Sequence, residues 1–516
     1  MKKKLFAMAT VLCLVLAIEP FAVFAADATD EATLDTALTA GDEVVLTQDI
    51  TLTKKLAEIP VGVSVTLNLN GHTLTGAAGQ DVLSNKGTLT VVGSGTVKVN
   101  GAGAAIVNYS GGNVNLNGGT FTGDAWYTLK NMGIMEITDG VTVNTTNATA
   151  TASLIDNGWV GNDDRGETAP TDGTTANLTI TGGTFTGGAK TTNTVKNDDY
   201  SKLNVTGGTF TNVSGTTIAN WGEATISGGT FSSAEAHVLA NTFLSDPADK
   251  GIMTITGGTF SAKDENASLV GYAASAKQGG ALNIQGGSFV GKIVADPAQY
   301  TYTITVTSGT FSSEVAAAYL AAGTTAALKT STAAGTAFYV GTADQVAANV
   351  AGVQTGDTVT VTQGDLNLTN VAGGVVVANQ GTGAVTVNNE TVPQNGQVVV
   401  HQHAAVKVDA KAPTATEPGN VEYYYCADCG KYFLDAALIQ ETTADQLVLA
   451  ATGVVPPTAG EIVEENTGVV AGANANAEAS LNAATTGDTG VAVAVLLAVL
   501  VGAGAVVVVC MMKKRA

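Results

Sequence analysis

The sequence predicts an all-β protein whose main body is a right-handed parallel β-helix of about ten coils. An alternating apolar motif that ends in Gly-Gly-Thr-Phe, with small variations, recurs along the middle of the chain. Between successive copies an Asn closes a short apolar stretch, with a period near 23 residues. β-Branched residues are abundant and helix signals are absent, as a stack of short strands requires. The two landmarks stand at Phe121, Phe185, Phe210, Phe231, Phe260, Phe289 and Phe311, and at Asn85, Asn108, Asn131, Asn157, Asn197, Asn220 and Asn241.

One repeat shows how each coil is predicted to fold. Alternation directs Leu178 and Ile180 to the interior. Gly182 and Gly183 then bend the chain, because glycine accepts positive φ, and Phe185 returns to the interior. Equivalent residues follow about 4.8 Å away on the next coil, so roughly ten coils form a rod on the order of 45 Å long. The Asn side chains are predicted to form a structural ladder of amide hydrogen bonds along one turn.

This repeat, together with the segment 65–74 that contains Asn-Gly-His-Thr, resembles the pectate-lyase-like right-handed β-helices in surface proteins of Gram-positive gut bacteria. The resemblance extends from about Leu34 to Phe311 and implies the fold more specifically than an activity. Enzymes of that family include lyases, which use Arg or Lys near carboxylate-bound calcium, and hydrolases, which use clustered Asp residues. We interpret His72 as a turn residue. Leucine-rich and helical repeats are disfavoured, because neither their leucine spacing nor a 3.6-residue period is present.

Small β modules are predicted after the β-helix, which we assign with its N-terminal cap to residues 26–325. Residues 338–400 begin with segments, 342–346 and 355–359, that echo 34–38 and 40–44. The chain therefore repeats the opening of the helix, and we expect a small β domain or a degenerate cap. A cap matters because an open solenoid end offers unpaired strands to other molecules.

Residues 401–450 resemble a short module common in such surface proteins. His401 and His403, with Cys426 and Cys429, supply two nitrogen and two sulfur atoms, which is a ligand set for a tetrahedral structural zinc site. The alternative is a reduced or oxidised cysteine pair without metal. Both remain open at this point.

The two ends of the chain predict export and anchoring. A basic start, an apolar run and small residues before Ala26 are typical of a signal peptide over residues 1–25. At the other end, 491–512 is apolar and 513–516 is basic, which predicts a transmembrane helix with a cytoplasmic tail. Residues 451–490, rich in Ala, Asn, Glu and Gly, are predicted to form a flexible stalk.

The stalk ends in a degenerate sorting motif. Thr486 and Gly487, followed by the apolar span and basic tail, resemble the signal of sortase-anchored Gram-positive surface proteins, with cleavage between these two residues. That family has Leu and Pro where this chain has Ala483 and Ala484. The expected location is the cell surface, in the cytoplasmic membrane or the cell wall, and sortase is a candidate partner.

Charge and cysteine content exclude several classes. The formal net charge is −21, which argues against nucleic acid as a partner. Cys13 lies in the signal peptide and Cys510 in the membrane segment, so Cys426 and Cys429 are the only cysteines of the exported part. Disulfides therefore do not form the framework of the fold.

The turn after the ladder Asn is the candidate functional edge, because the long insertions 158–176, 242–251 and 272–280 follow it. Tyr109, Trp159 and Trp221 lie one or two residues beyond a ladder Asn. Such rings, beside Asp163 and Asp164, could stack on sugars while carboxylates bind hydroxyls or a calcium ion. The alternative is that the rings only cover the insertion loops.

The sequence favours an adhesin-like surface protein that binds glycans or other host or community macromolecules, and it assigns no catalytic residue. The runner-up is a polysaccharide lyase or hydrolase, for which Asp163, Asp164 and Arg165, the only exported arginine, are the candidates. That trio lies in a turn-rich loop, and no set of carboxylates is expected to converge across neighbouring coils. A structural surface component without a discrete ligand is the third alternative.

Overall fold

The computed structural model describes residues 25–453, apart from 42, 125, 146–149, 162, 242–250, 272–279, 295–302, 402, 428 and 439. The sorting motif, the transmembrane segment and its tail lie outside these residues, as do all but Ala25 of the signal peptide and all but the first three residues of the stalk. Two of the three insertions, 242–251 and 272–280, also fall almost wholly outside them. Among the helices that are described, none is long and apolar enough to cross a membrane.

The described chain is mostly β, and its strands stack in long parallel sheets. Each coil begins with a first strand, which pairs in parallel with the first strand of the next coil, as Val114 does with Met135 and Leu178 with Leu203. The first strands are Ala26–Ala28, Glu43–Leu46, Ser64–Asn68, Thr88–Val92, Asn113–Leu116, Ile134–Ile137, Ala176–Ile180, Ser201–Val205, Glu223–Ile226, Ile252–Ile255, Ala281–Val290 and Thr303–Phe311.

A second and a third set of strands complete the coils. The Phe strands are Ile50–Thr51, Thr73–Thr75, Thr96–Lys98, Gly119–Thr122, Val141–Asn144, Thr184–Gly187, Thr209–Asn212, Thr230–Ser233 and Thr259–Ser261. The ladder strands form a separate parallel sheet of Leu83–Asn85, Ile106–Asn108, Tyr127–Asn131, Thr151–Asn157, Thr191–Asn197, Thr216–Asn220, Leu239–Asn241 and Val270–Gly271. This arrangement is consistent with a parallel β-helix; its handedness stays a prediction.

The core contains a continuous column of phenylalanine rings. Six rings stack face to face with centroids 4.6–4.9 Å apart and planes within 10° of parallel. They are Phe185, Phe210, Phe231, Phe260, Phe289 and Phe311, each at most 2% exposed. Phe121 is separated from this column because its strand neighbours are Val97 and Val143. The aromatic column therefore begins only after the fifth Phe strand.

The predicted asparagines form a hydrogen-bonded ladder along the ladder strands. Each Nδ2 donates to the Oδ1 of the next Asn over 2.6–2.8 Å, from Asn85 through to Asn241. Each Nδ2 also donates to backbone carbonyls, for example that of Asn131 to Gly133 and Asn177. All seven side chains are fully buried, so these bonds satisfy amide groups that water cannot reach.

Close contact between coils explains the paired glycines. A Cβ at Gly207 would lie 2.3 Å from the carbonyl oxygen of Thr181 on the preceding coil. Gly208 has φ +101, a conformation that other residues rarely adopt. The first glycine is therefore required by the distance between coils and the second by the backbone bend.

Both ends of the stack are covered. At the start, helix α1 (Glu31–Ala40) buries Leu34 and Leu38, and its N-terminus is capped by Asp30 and Thr33. At the far end, a hairpin of Thr325–Ser331 and Gly335–Gly341 adds to the last coil in antiparallel orientation, with Phe338 opposite Phe311. A short 3₁₀ helix, Ala317–Tyr319, precedes this hairpin.

The hairpin crosses the predicted boundary near residues 325–338 and begins the next domain. Helix α2 (Ala343–Val350), capped by Thr342 and Gln345, follows it, as α1 follows the first strand of the chain. A separate core lies between this helix and six strands, which include two parallel pairs, 358–361 with 376–379 and 366–368 with 385–387. The strands are Thr358–Gln363, Leu366–Leu368, Val376–Asn379, Val385–Val387, Glu390–Val392 and Gly396–Val399.

The final described unit, residues 401–453, is a small antiparallel module. Its main sheet has the order Ala405–Val408, Tyr423–Cys426, Lys431–Phe433 and Glu441–Thr442. Gly419–Asn420 pairs with Val448–Leu449, and a single-turn helix, α3 (Ala444–Leu447), precedes the latter strand. This module carries the predicted zinc ligands.

Candidate metal centre and a buried charged cluster

The two cysteines lie on one hairpin of the small module. Cys426 ends its strand opposite Lys431, and the chain turns between them. Gly430 has φ +70, and its N–H donates to the Cys426 carbonyl over 2.8 Å. This tight turn places Cys426, which is buried, and Cys429, which is exposed, on the same side of the hairpin end.

The two histidines approach the hairpin from the end of the preceding domain. His401 Nε2 lies 3.6 Å from Cys426 Sγ, and His403 Nδ1 lies 3.3 Å from Cys429 Sγ. The four candidate ligand atoms all lie within 4.8 Å of one another. His403 also packs on Phe433 with ring centroids 4.5 Å apart. The structure thus brings together all four residues that the sequence predicts as zinc ligands.

The electrostatics of this cluster favour a thiolate at Cys426. Hydrogen bonds from His401 and His403, with smaller contributions from Cys429, lower the pKa of Cys426 to about 5. Desolvation raises the pKa of Cys429, although the backbone of Lys431 opposes the shift. A deprotonated sulfur beside neutral imidazoles is the state in which these groups bind metal.

At the ladder edge the structure corrects the expectation of exposed aromatic rings. Trp159 is fully buried and Tyr109 is 8% exposed. Both belong to a small apolar cluster that also contains Val107 and Met132 and lies beneath the insertion 158–176. The insertion folds back over the outer face of the ladder sheet, and Trp159 forms a backbone bridge with Asp199. These two rings therefore do not form a surface for stacking on sugars.

Trp221 is half-buried and contacts a lysine. Lys196 Nζ lies 3.7 Å from the centre of the Trp221 ring, which is a cation–π contact. The third tryptophan, Trp126, is 71% exposed at the start of a ladder strand, and its carbonyl accepts a hydrogen bond from the Ser153 N–H. The exposed indole therefore lies at the opposite end of the ladder strand from the turn that follows Asn131.

Charged side chains converge beneath the insertion on neighbouring coils. Lys130, Asp156 and Lys196 occupy equivalent positions, each immediately before a ladder Asn. Lys130 is fully buried and forms ion pairs with Asp156 and with Asp164 of the insertion. Burial opposes the charge on Lys130, but the two carboxylates outweigh it and raise its pKa above the ordinary value.

Asp198 extends this cluster to the following turn. Its carboxylate pairs with Lys196 Nζ over 2.5 Å. Burial, reinforced by the charge of Asp156, raises the pKa of Asp198 from 3.8 to about 8. The expectation that no carboxylates converge across neighbouring coils is therefore wrong at this edge, although both carboxylates are fully buried.

The candidate catalytic trio does not form an open site. Asp164 is engaged by Lys130, and the Arg165 guanidinium donates to Asp81 over 2.7 Å. Asp163 lies in a two-residue strand whose partner strand is Glu167–Thr168. These contacts attach the insertion to the ladder sheet, and the ion pair at Asp164 competes with the calcium site predicted there.

Sequence reasoning missed Lys130, Asp156 and Lys196, although a signal for them exists. Each is the residue immediately before a ladder Asn, where other coils carry Val107, Ala219 or an equivalent small or apolar residue. A charged residue at that repeated position indicates that another segment of the chain packs over the outer face of the ladder sheet and pairs with the charge. The spacing of 40 residues between Asn157 and Asn197 indicates which segment covers it.

Comparisons with protein-family models, with curated proteins and with solved structures found no match for this chain.

Proposed function

We propose that this chain is an exported, surface-anchored, adhesin-like protein whose right-handed β-helix binds glycans or other extracellular macromolecules. The observation that carries the proposal is Trp126, an indole 71% exposed on a stack of hydrogen-bonded coils. Large exposed rings on rigid backbone bind the faces of sugar rings with little loss of side-chain entropy. Export and anchoring are supported by the sequence of the two ends.

An open groove offers a second contact surface. It has a volume of about 540 Å³ and crosses successive Gly-Gly-Thr turns, with Thr184, Thr209 and Thr230 along its length and Asp139 at one end. Repeated hydroxyl groups suit an extended ligand that is itself rich in hydroxyls. The acidic chain would repel strongly anionic polymers, so neutral glycans are the favoured class.

A glycan array, followed by affinity measurements on the mature protein, tests the proposal. We expect Trp126→Ala to weaken binding about tenfold or more, and Val61→Ala, which truncates an apolar side chain that is 80% exposed, to leave it unchanged. Thr209→Glu tests the groove, and Ala234→Glu adds the same charge at an exposed position outside it. Unchanged binding in both Trp126→Ala and Thr209→Glu would contradict the proposal. Exposure of the protein on intact cells is tested by protease shaving.

A polysaccharide lyase or hydrolase is the second candidate, and the cluster around Asp156 and Asp198 is the observation that favours it. Two interacting carboxylates, one with a raised pKa, are the groups that acid–base cleavage of a glycosidic bond requires. Both are covered by the insertion 158–176, so a substrate reaches them only if the insertion moves. Release of reducing or unsaturated sugars from a polysaccharide panel would favour this candidate over the adhesin.

A further inference from the structure

We propose that His401, His403, Cys426 and Cys429 bind one zinc ion that joins the small C-terminal module to the β domain before it. The inference is independent of glycan binding. It depends on the convergence of two nitrogen and two sulfur atoms from separate parts of the chain within 4.8 Å.

The distances fit a tetrahedral ion. With Zn–S near 2.3 Å and Zn–N near 2.05 Å, a sulfur and a nitrogen on one tetrahedron lie about 3.6 Å apart. Two of the four sulfur–nitrogen pairs are separated by 3.6 and 3.3 Å, and all four ligand atoms lie within 4.8 Å of one another. Soft sulfur ligands with imidazole favour zinc over calcium or magnesium, which take oxygen ligands. Four protein ligands complete the coordination shell, so the site is structural rather than catalytic.

The surroundings support the ligands. The ring of His403 is held against Phe433, with ring centroids 4.5 Å apart. Such contacts fix the orientation of metal ligands and are a regular feature of zinc sites. A pair of cysteines without metal would not require two imidazoles at these distances.

The position of the histidines makes the ion a link between two folded units. Val400, directly before His401, is 7% exposed in the core of the preceding domain, and its N–H and carbonyl both form backbone hydrogen bonds within that domain. The cysteines belong to the hairpin of the next module. His403 and Phe433 also line a cavity of about 200 Å³ together with Asn370 and Asn388 of the preceding domain. Zinc would therefore fix the junction at residue 401.

Metal analysis of the full-length mature protein tests the site. After reduction and chelation, the protein is titrated with Zn²⁺ and, in parallel, with Co²⁺ as a spectroscopic probe. We expect about one metal ion per chain and a cobalt spectrum of a tetrahedral site with thiolate ligands. Cys429→Ser and His403→Ala should lower metal affinity more than tenfold. His72→Ala, which removes a histidine in the β-helix, is the matched control and should change nothing.

A further variant distinguishes the loss of a metal ligand from misfolding of the module. His403→Cys keeps four ligands, so it should retain the metal and strengthen the sulfur-to-cobalt absorption. Binding below about 0.2 ions per reduced chain, or equal affinity in His72→Ala and Cys429→Ser, would overturn the proposal. The linking role has its own readout: chelation should accelerate proteolysis within residues 401–453 while residues 26–400 persist. An unchanged cleavage rate in the chelated protein would refute it.

Discussion

The asparagine ladder predicts that equivalent substitutions differ in effect with their place in the stack. Asn131, in the interior of the ladder, makes five hydrogen-bond contacts: its two Nδ2 hydrogens are shared among Asn157, Gly133 and Asn177, and its Oδ1 accepts from Asn108 and Gly133. Asn131→Ala removes them all and adds no group that could replace them.

The size of the effect follows from the count of bonds. Two donated and two accepted hydrogen bonds, at roughly 1 kcal/mol for each, mean that Asn131→Ala should lower the free energy of unfolding by about 4 kcal/mol. Asn85 begins the ladder, shares its two Nδ2 hydrogens among three acceptors and has an Oδ1 with no partner among the described residues. Asn85→Ala loses two donated bonds but removes that buried unpaired oxygen, so we expect a loss of about 1 kcal/mol.

Guanidinium unfolding followed by far-UV circular dichroism measures both values. The wild type and the two variants are compared with Asn204→Ala, which changes an exposed asparagine on a first strand. Equal m-values in all four proteins allow their free energies of unfolding to be compared directly. We expect Asn204→Ala to stay within about 0.5 kcal/mol of wild type. Equal losses for Asn131→Ala and Asn85→Ala, or a loss below about 1 kcal/mol for the former, would refute the additive argument.

Three other predictions follow from the core, the buried charges and the glycine turns. Phe231→Leu removes a ring stacked on both sides, whereas Phe121→Leu removes one flanked by valines, so the former should cost about 1–3 kcal/mol more by the same unfolding assay. Because burial raises the pKa of Asp198 from 3.8 to about 8, the folded state holds its proton more tightly than the unfolded state, and stability falls as pH rises through that window. Asp198→Asn should flatten this loss between about pH 4 and pH 8, and an identical slope in thermal melts of both proteins would contradict the assignment. Gly207→Ala places a Cβ 2.3 Å from the Thr181 carbonyl oxygen and should abolish soluble expression or lower Tm by more than about 10 °C. Gly111→Ala adds a Cβ that meets no atom within 4 Å and carries only the backbone strain of φ +77, about 1–2 kcal/mol, so it should cost far less.

The periodic features were predictable because they repeat. The positions of Asn108 and Phe210 within their coils follow from spacing alone, and the structure places both in register with equivalent residues on the neighbouring coils. The four candidate zinc ligands were predictable because histidine nitrogen and cysteine sulfur are the ligand atoms that zinc prefers.

The features that depend on how an insertion folds were not predictable. Spacing places Trp159 two residues beyond the ladder residue Asn157, but it does not determine whether the following residues extend into solvent or fold back over the sheet. They fold back, because Val107 and Met132 offer an apolar outer face and Lys130 attracts Asp164. The ring that we expected to bind ligand therefore became part of a second, external core.

The unchanged register from coil to coil has a consequence for the reach of the protein. Phe210 and Phe231 are 21 residues apart, and Asn220 and Asn241 have the same separation. Excision of 210–230 would therefore bring Phe231 onto Phe185 and Asn241 onto Asn197, and the rod would shorten by about 4.8 Å with its packing intact. Recombination between such repeats can lengthen or shorten the β-helix by one coil in a single step. The length of the β-helix can therefore vary among related proteins while the packing of each coil stays the same.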